Sequence, residues 1–178
     1  HDSKYHSAFL ISTISNILNK NNIKPADLSL IGINIGPGSF TGIRACTTAA
    51  RVMAQQLNIR AAGVSSLEIL TEAFKNRQNP SKPVLTALDA RKNKAYLYME
   101  HEIKGAVEID KVKELAQSGN YEILTDAKLE PVLGGTVYHT LNLPLGETLC
   151  ELILKKAETS DCDWRKLKPL YIQPPPMG

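Results

Sequence analysis

The sequence is poor in the residues that build disulfide scaffolds, helical metal sites and membrane spans. Cysteine occurs only at 46, 150 and 162 in 178 residues. An odd, widely spaced set argues against a disulfide framework and fits a reducing cytoplasm. Histidine is confined to positions 1, 6, 101 and 139, and none has another His or a Cys three or four residues on, the spacing of a helical metal pair. No apolar run nears the ~18 residues of a membrane span, and no secretory signal is visible. Net charge is only +3, with Lys and Arg scattered, which by itself does not point to nucleic acid. Ser39 lacks the Gly-x-Ser-x-Gly surroundings of a hydrolase nucleophile and reads as a helix N-cap.

What is present is 43% apolar residues, enough for a core, arranged around Gly36-Pro37-Gly38-Ser39-Phe40-Thr41-Gly42-Ile43-Arg44. The preceding run 28–35 is almost wholly apolar and branched at 31, 33 and 35, which predicts an interior strand covered on both faces. After the glycines, Ile43, Cys46, Ala50, Met53 and Leu57 recur at helical spacing. The stretch is therefore a strand, a glycine turn and a helix. Gly38 and Gly42 are expected to need backbone conformations or contacts that other residues resist. A helix N-terminus after glycines can receive a phosphate. However, the Lys of a Walker loop is missing, and three residues, not two, separate Gly38 from Gly42.

A first helix is expected over 6–19, capped by Ser3 or Ser7, with an apolar stripe (Phe9, Leu10, Ile11, Ile14, Ile17, Leu18) wider than one core face requires. The central helix, 40–57, carries small residues from Ala45 to Ala50 that let another helix approach closely. A short buried strand follows over 59–64. A capping box, Ser65 to Glu68, then opens a helix reaching about Phe74. The polar stretch 75–82 is the expected boundary between lobes 1–82 and 83–178, with the C-terminal tail free to pack back. The second lobe reads as strands 84–89 and 95–99, a helix 110–117, a strand 121–125 and a helix 147–157 with Leu149, Ile153 and Leu154 inward. An extended tail runs from 167. Asp89 and Arg91 are expected to fix each other's geometry.

The nine-residue run 36–44 resembles the signature of the TsaB (YeaZ) family. The likeness continues through Ala62-Gly63-Val64-Ser65-Ser66-Leu67, Asp89-Ala90-Arg91 and Pro169-Leu170-Tyr171-Ile172. It implies an α/β, actin-like (ASKHA, ribonuclease H-like) fold of two lobes. Family members begin with a further hairpin that is absent here, so the first lobe is expected to lack its leading strands. The resemblance also implies a role in making threonylcarbamoyladenosine on tRNA. There the chain would be the non-catalytic, cytoplasmic paralogue of TsaD. In TsaD two histidines of a Gly-Val-Asn-His-Leu-Glu-x-His run bind a metal; the matching positions here are Ser66 and Leu70, which are unsuited to that ion. No catalytic residue and no cofactor of its own are then expected, with ATP and a metal ion residing on partner subunits. The implied partners are TsaD as a heterodimer, the ATPase TsaE and the synthase TsaC, with tRNA the substrate of the complex and a homodimer a further option. The interface is expected on the two helices, at Phe9, Leu10, Ile14, Ile43, Cys46, Thr47, Ala50 and Met53. Two rival readings are an actin-like ATPase or kinase using the 36–42 turn on a phosphate, and a peptidase.

Overall fold

A computed structural model describes residues 9–160 and 162–173; His6, Ser3, Ser7 and the end of the tail lie outside them. The chain divides into two compact units, 1–64 with 149–170, and 65–148 with 171–178. The division falls at 64/65 rather than in the 75–82 stretch. The reason is that the helix after residue 65 packs its apolar face with the strands that follow it.

In the first unit, α1 (Leu10–Lys20) has Leu10, Ile11, Ile14, Ile17 and Leu18 as its apolar residues, yet none of its eleven residues is buried. Phe9 stands at its N-cap with no side-chain cap. Strand β1 (Leu30–Asn34) pairs in parallel with β2 (Arg60–Val64). Between them runs α2 (Phe40–Leu57), the right period and bounds for the small-residue stretch. Ser39 caps α2, its Oγ accepting from Gly42 N at 3.4 Å, and Asn58 closes it in the left-handed conformation that asparagine tolerates. The core of this unit is small: Ala50, Ala54, Ala61 and Leu167 are buried, with Ile31, Ile33, Ile35, Ile59 and Trp164 against them. Strand β1 departs from expectation. Ile31 and Ile33 are only half-buried, and Gly32 and Asn34 are exposed, because among the described strands it has one neighbour.

The C-terminal part of α6 (Leu145–Thr159) and the segment after it return to this unit. Ile153 is buried and fills the space a side chain at Gly32 would need, its Cγ1 2.6 Å from that position. Leu154, expected inward, is 60% exposed, one residue around the helix from Ile153.

The second unit is built on a five-stranded mixed sheet in the order β5-β4-β3-β6-β7. Strands β3 (Val84–Arg91), β4 (Lys94–Met99) and β5 (Glu102–Glu108) form an antiparallel meander, and β6 (Glu122–Thr125) and β7 (Thr136–Val137) add in parallel to β3. Lys92 and Asn93 form a two-residue hairpin turn, both at positive φ as a type I′ turn demands. Helix α4 (Ile109–Gln117) crosses between β5 and β6, and the short α5 (Glu130–Leu133) follows β6. One face holds Leu85, Ala87, Ala95, Leu97, Val112 and Leu129. The other holds Leu70, Phe74, Val84 and Leu124 under α3 (Ser66–Gln78). Ser65 caps α3 through Glu68 N at 3.1 Å. The helix runs on through Lys75–Gln78, four residues past Phe74, until Asn79 ends it at positive φ. A buried hydroxyl pair, Thr71 and Thr86 at 2.6 Å, ties α3 to β3.

Candidate functional site: an apolar groove on the first unit

The glycine turn is where the first unit's geometry is most constrained. Asn34 Oδ1 accepts from Gly36 N at 2.8 Å, closing the turn at the end of β1. The Gly36-Pro37 peptide is cis, and Gly36 sits at φ +101° with Ile43 Cδ1 2.7 Å from where a Cβ would be. The conformational demand therefore falls on Gly36, not on Gly38. Gly38 has ordinary φ, and a methyl there would meet only Ile43 Cδ1 at 3.5 Å. Gly42 donates to Ser39 Oγ, as the first turn of a capped helix requires.

Helix α2 has two faces. Thr47, Ala50 and Ala54 are buried, and Thr47 Oγ1 donates to Ile43 O at 2.8 Å. The opposite face carries Thr41, Arg44, Ala45, Thr48, Ala49 and Val52, spaced three and four apart. With Phe40 and with Leu10 and Ile11 of α1 they line an open groove of about 580 Å³. Its walls are almost wholly apolar. Phe40 is 43% exposed, Val52 51% and Ile11 59%. Among the described residues Arg44 is the one charged side chain in the lining, its guanidinium carbon 5.2 Å from the centroid of the Phe40 ring.

Of the residues expected at an interface, Leu10 lines the groove, Phe9 is 62% exposed, and Ile14, Ile43, Cys46 and Met53 are half-buried. Thr47 and Ala50 are corrected: they face this unit's own core and cannot meet a partner. Ala45, Thr48 and Ala49 belong to the small-residue stretch of the sequence but cannot be told there from Thr47 and Ala50, because both stripes of α2 are small and uncharged. Only the packing of Ala50 and Ala54 against β1 and β2 separates them.

In the second unit, Asp89 and Asp126 stand at the carboxyl ends of the parallel pair β3 and β6. Asp89 pairs with Lys128 Nζ at 2.9 Å rather than with the Arg91 guanidinium; Arg91 contributes its backbone N–H, at 2.9 Å. The Lys128 hydrogen bond, with Arg91, holds the Asp89 carboxyl below its usual range against the opposing effect of burial. Asp126 accepts from the backbone N–H groups of Asp89, Lys128 and Leu129. Both carboxylates are thus engaged in fixing the carboxyl ends of β3 and β6. Burial, followed by the charges of Glu68 and Glu72, pushes the Tyr98 hydroxyl up to about 12. Leu70 is buried in the core under α3, and Ser66 opens that helix. Among the described residues no three His, Cys, Asp or Glu side chains gather as metal ligands, and no helix is long and apolar enough to cross a membrane.

Two compact units, with a mixed sheet of meander and parallel strands in the second, make an α/β protein, and its family match and structural neighbours agree with an actin-like (ASKHA) fold. Comparison with known proteins is specific. Residues 2–134 match the family model described as TsaD: tRNA N6-adenosine threonylcarbamoyltransferase. The chain belongs to that family, on its TsaB/YeaZ side. The tRNA threonylcarbamoyladenosine biosynthesis protein TsaB of Bacillus subtilis (strain 168) is 36% identical over 93 residues, 52% of this chain and 39% of that protein. The chain thus matches about two fifths of the length of that relative. YeaZ from Pseudomonas aeruginosa superposes with TM-score 0.69 at 20% identity, covering 94% of this chain and 86% of that one. A second Pseudomonas aeruginosa structure, described as an uncharacterized protein with similarity to peptidase YEAZ, gives TM-score 0.75 at 19% identity over 96% and 85%.

Proposed function

We propose that this chain is a non-catalytic scaffold that pairs with TsaD through the α1/α2 groove and so supports threonylcarbamoyl transfer to tRNA. The observation that carries this reading is the groove itself. An amphipathic helix with no buried residue and a second helix with an uncovered small-residue face lie together on one unit. Exposed contiguous apolar surface of this kind marks an interaction site. Small residues along 41, 45, 48 and 49 leave room for a helix of related fold to lie close. Binding there can select a competent conformation of a partner without contributing a reacting group. ATP and metal chemistry then belong to the partners, TsaE and TsaD, with TsaC supplying the activated threonylcarbamoyl group.

The test is tRNA modification reconstituted from TsaD, TsaE and TsaC with and without this protein. Omission should abolish modification; an unchanged rate would sink the scaffold reading. Val52→Glu should leave the fold intact and abolish association with TsaD, because it places an unpaired charge in an apolar contact. Self-association that is lost with the same variant, alongside undiminished TsaD binding, would assign the groove to a homodimer instead.

A further inference from the structure

The chain's positive charge is confined to one of its units. The first unit holds eleven Lys and Arg against six Asp and Glu, a charge of +5, and the second holds ten against twelve, a charge of −2, together the chain's +3. Within the first unit six of the eleven bases lie on a strap, residues 162–170, or on the chain segments beside it. The strap is laid along β2 and the turn after β1 by two backbone hydrogen bonds, Ala61 N to Cys162 O at 2.8 Å and Leu170 N to Ile35 O at 2.9 Å. Its apolar residues point inward: Leu167 is 6% exposed and Trp164 packs on the core of Ala50, Ala54 and Ala61. Its bases point outward: Arg165, Lys166 and Lys168 are all exposed. Alongside stands the end of α6, with exposed Lys155, with Lys156, whose Nζ donates to Gly63 O at 2.8 Å, and Arg60, whose guanidinium reaches Ala157 O at 3.1 Å. Two described carboxylates share the area, Glu158 and Asp163, the latter bonded to Arg165.

We infer that this basic strap is a contact surface for the phosphate backbone of RNA. The inference rests on the reading of the chain as a tRNA-modification subunit, and adds that the chain itself touches the nucleic acid. Charge asymmetry between two parts of a chain, with the bases gathered on one exposed segment, is the electrostatic footprint of a polyanion partner. A lipid surface fits less well, since interfacial binding needs an outward apolar face beside the bases and the strap turns its Trp and Leu inward. A phosphate backbone needs only exposed cations held in register, which the two backbone bonds supply.

The experiment measures binding of an unmodified tRNA transcript to the full chain by fluorescence anisotropy across a salt series. Lys166→Gln/Lys168→Gln is compared with Lys111→Gln/Lys113→Gln on exposed positions of α4 in the second unit. The strap pair should weaken binding and lower the log–log salt slope by about two, one per lost phosphate contact, while the α4 pair leaves both unchanged. Equal effects from the two pairs, or none from the strap pair, would overturn the inference. So would binding to phosphatidylserine vesicles that responds to the strap pair while tRNA does not bind. The strap variant should still associate with TsaD. Failure of the scaffold reading shows separately, as modification unaffected by omitting the protein.

Discussion

The two units differ in how much of their apolar surface they cover. The second buries its large side chains on both faces of a five-stranded sheet, with Leu67, Leu85, Leu124 and Val112 fully inside. The first has a two-stranded sheet and a core of mostly alanine, and leaves Phe9, Ile11, Ile17, Phe40 and Val52 each more than two fifths exposed. Composition does not explain the contrast, because both carry branched apolar residues in abundance. What differs is how much element surface is available to cover them. A unit left with uncovered apolar faces is suited to being bound, whereas a unit that satisfies itself is suited to holding shape.

The sharpest way to break the comparison is within α2. Ala50→Glu buries a charge in the first unit's core and should cost roughly 3–5 kcal/mol, whereas Val52→Glu should melt within a degree or two of the parent. Equal losses from the two would mean that both faces of α2 are covered. In the second unit, Leu85→Ala should cost about 2–5 kcal/mol by chemical denaturation, since the side chain is wholly buried; a loss under about 1 kcal/mol would show that its sheet is looser than it looks. At the turn, Gly36→Ala should cost roughly 1–3 kcal/mol because φ is +101° and Ile43 Cδ1 obstructs a Cβ. Gly38→Ala should stay within about 0.5 kcal/mol, and a larger cost at 38 than at 36 would reverse the assignment.

Smaller still is the Asp89–Lys128 pair. The Asp89 carboxyl is lowered in the folded chain. Its contribution is therefore present above the ordinary carboxylate pKa of about 4 and is lost as pH falls through the folded value. Lys128 is 74% exposed, so the effect should be at most about 1 kcal/mol. Asp89→Asn should flatten the acid limb of a stability-versus-pH curve by that amount, and an unchanged limb would remove the pair from the account. The smallest effect is expected at Ile17 of α1, which is 55% exposed. Ile17→Ser should change stability by no more than about 0.5 kcal/mol. A loss above about 1 kcal/mol would mean that α1 is held by its own unit rather than left for a partner.

Local signals were enough for much of the molecule. The small-residue period from Phe40 to Leu57, Ser39 and Ser65 as caps, the alternation of β4 and the apolar run before the glycine turn each rest on neighbouring residues and the fixed periods of helix and strand. The nine-residue turn signature was likewise written in adjacent residues, which is why the family could be read from it. The sequence also placed helices α1 and α2, but not the face each presents. Residues 47 and 50 look as available as 48 and 49, since all are small and uncharged, and only docking on β1 and β2 turns the first pair inward. The same holds for β1, whose apolar run signals a covered strand while its exposure is set by how many strands pair with it. Leu154 and Ile153 are adjacent and alike, and the tertiary fit against Gly32 decides which is buried. The basic strap is a mixed case: Arg165, Lys166 and Lys168 are neighbours in the sequence, but only the hydrogen bond from Ala61 N to Cys162 O lays them back beside β2. Periodicity is local and therefore legible. Which of two equivalent faces is covered depends on residues distant in the chain, and that is decided only by the tertiary structure.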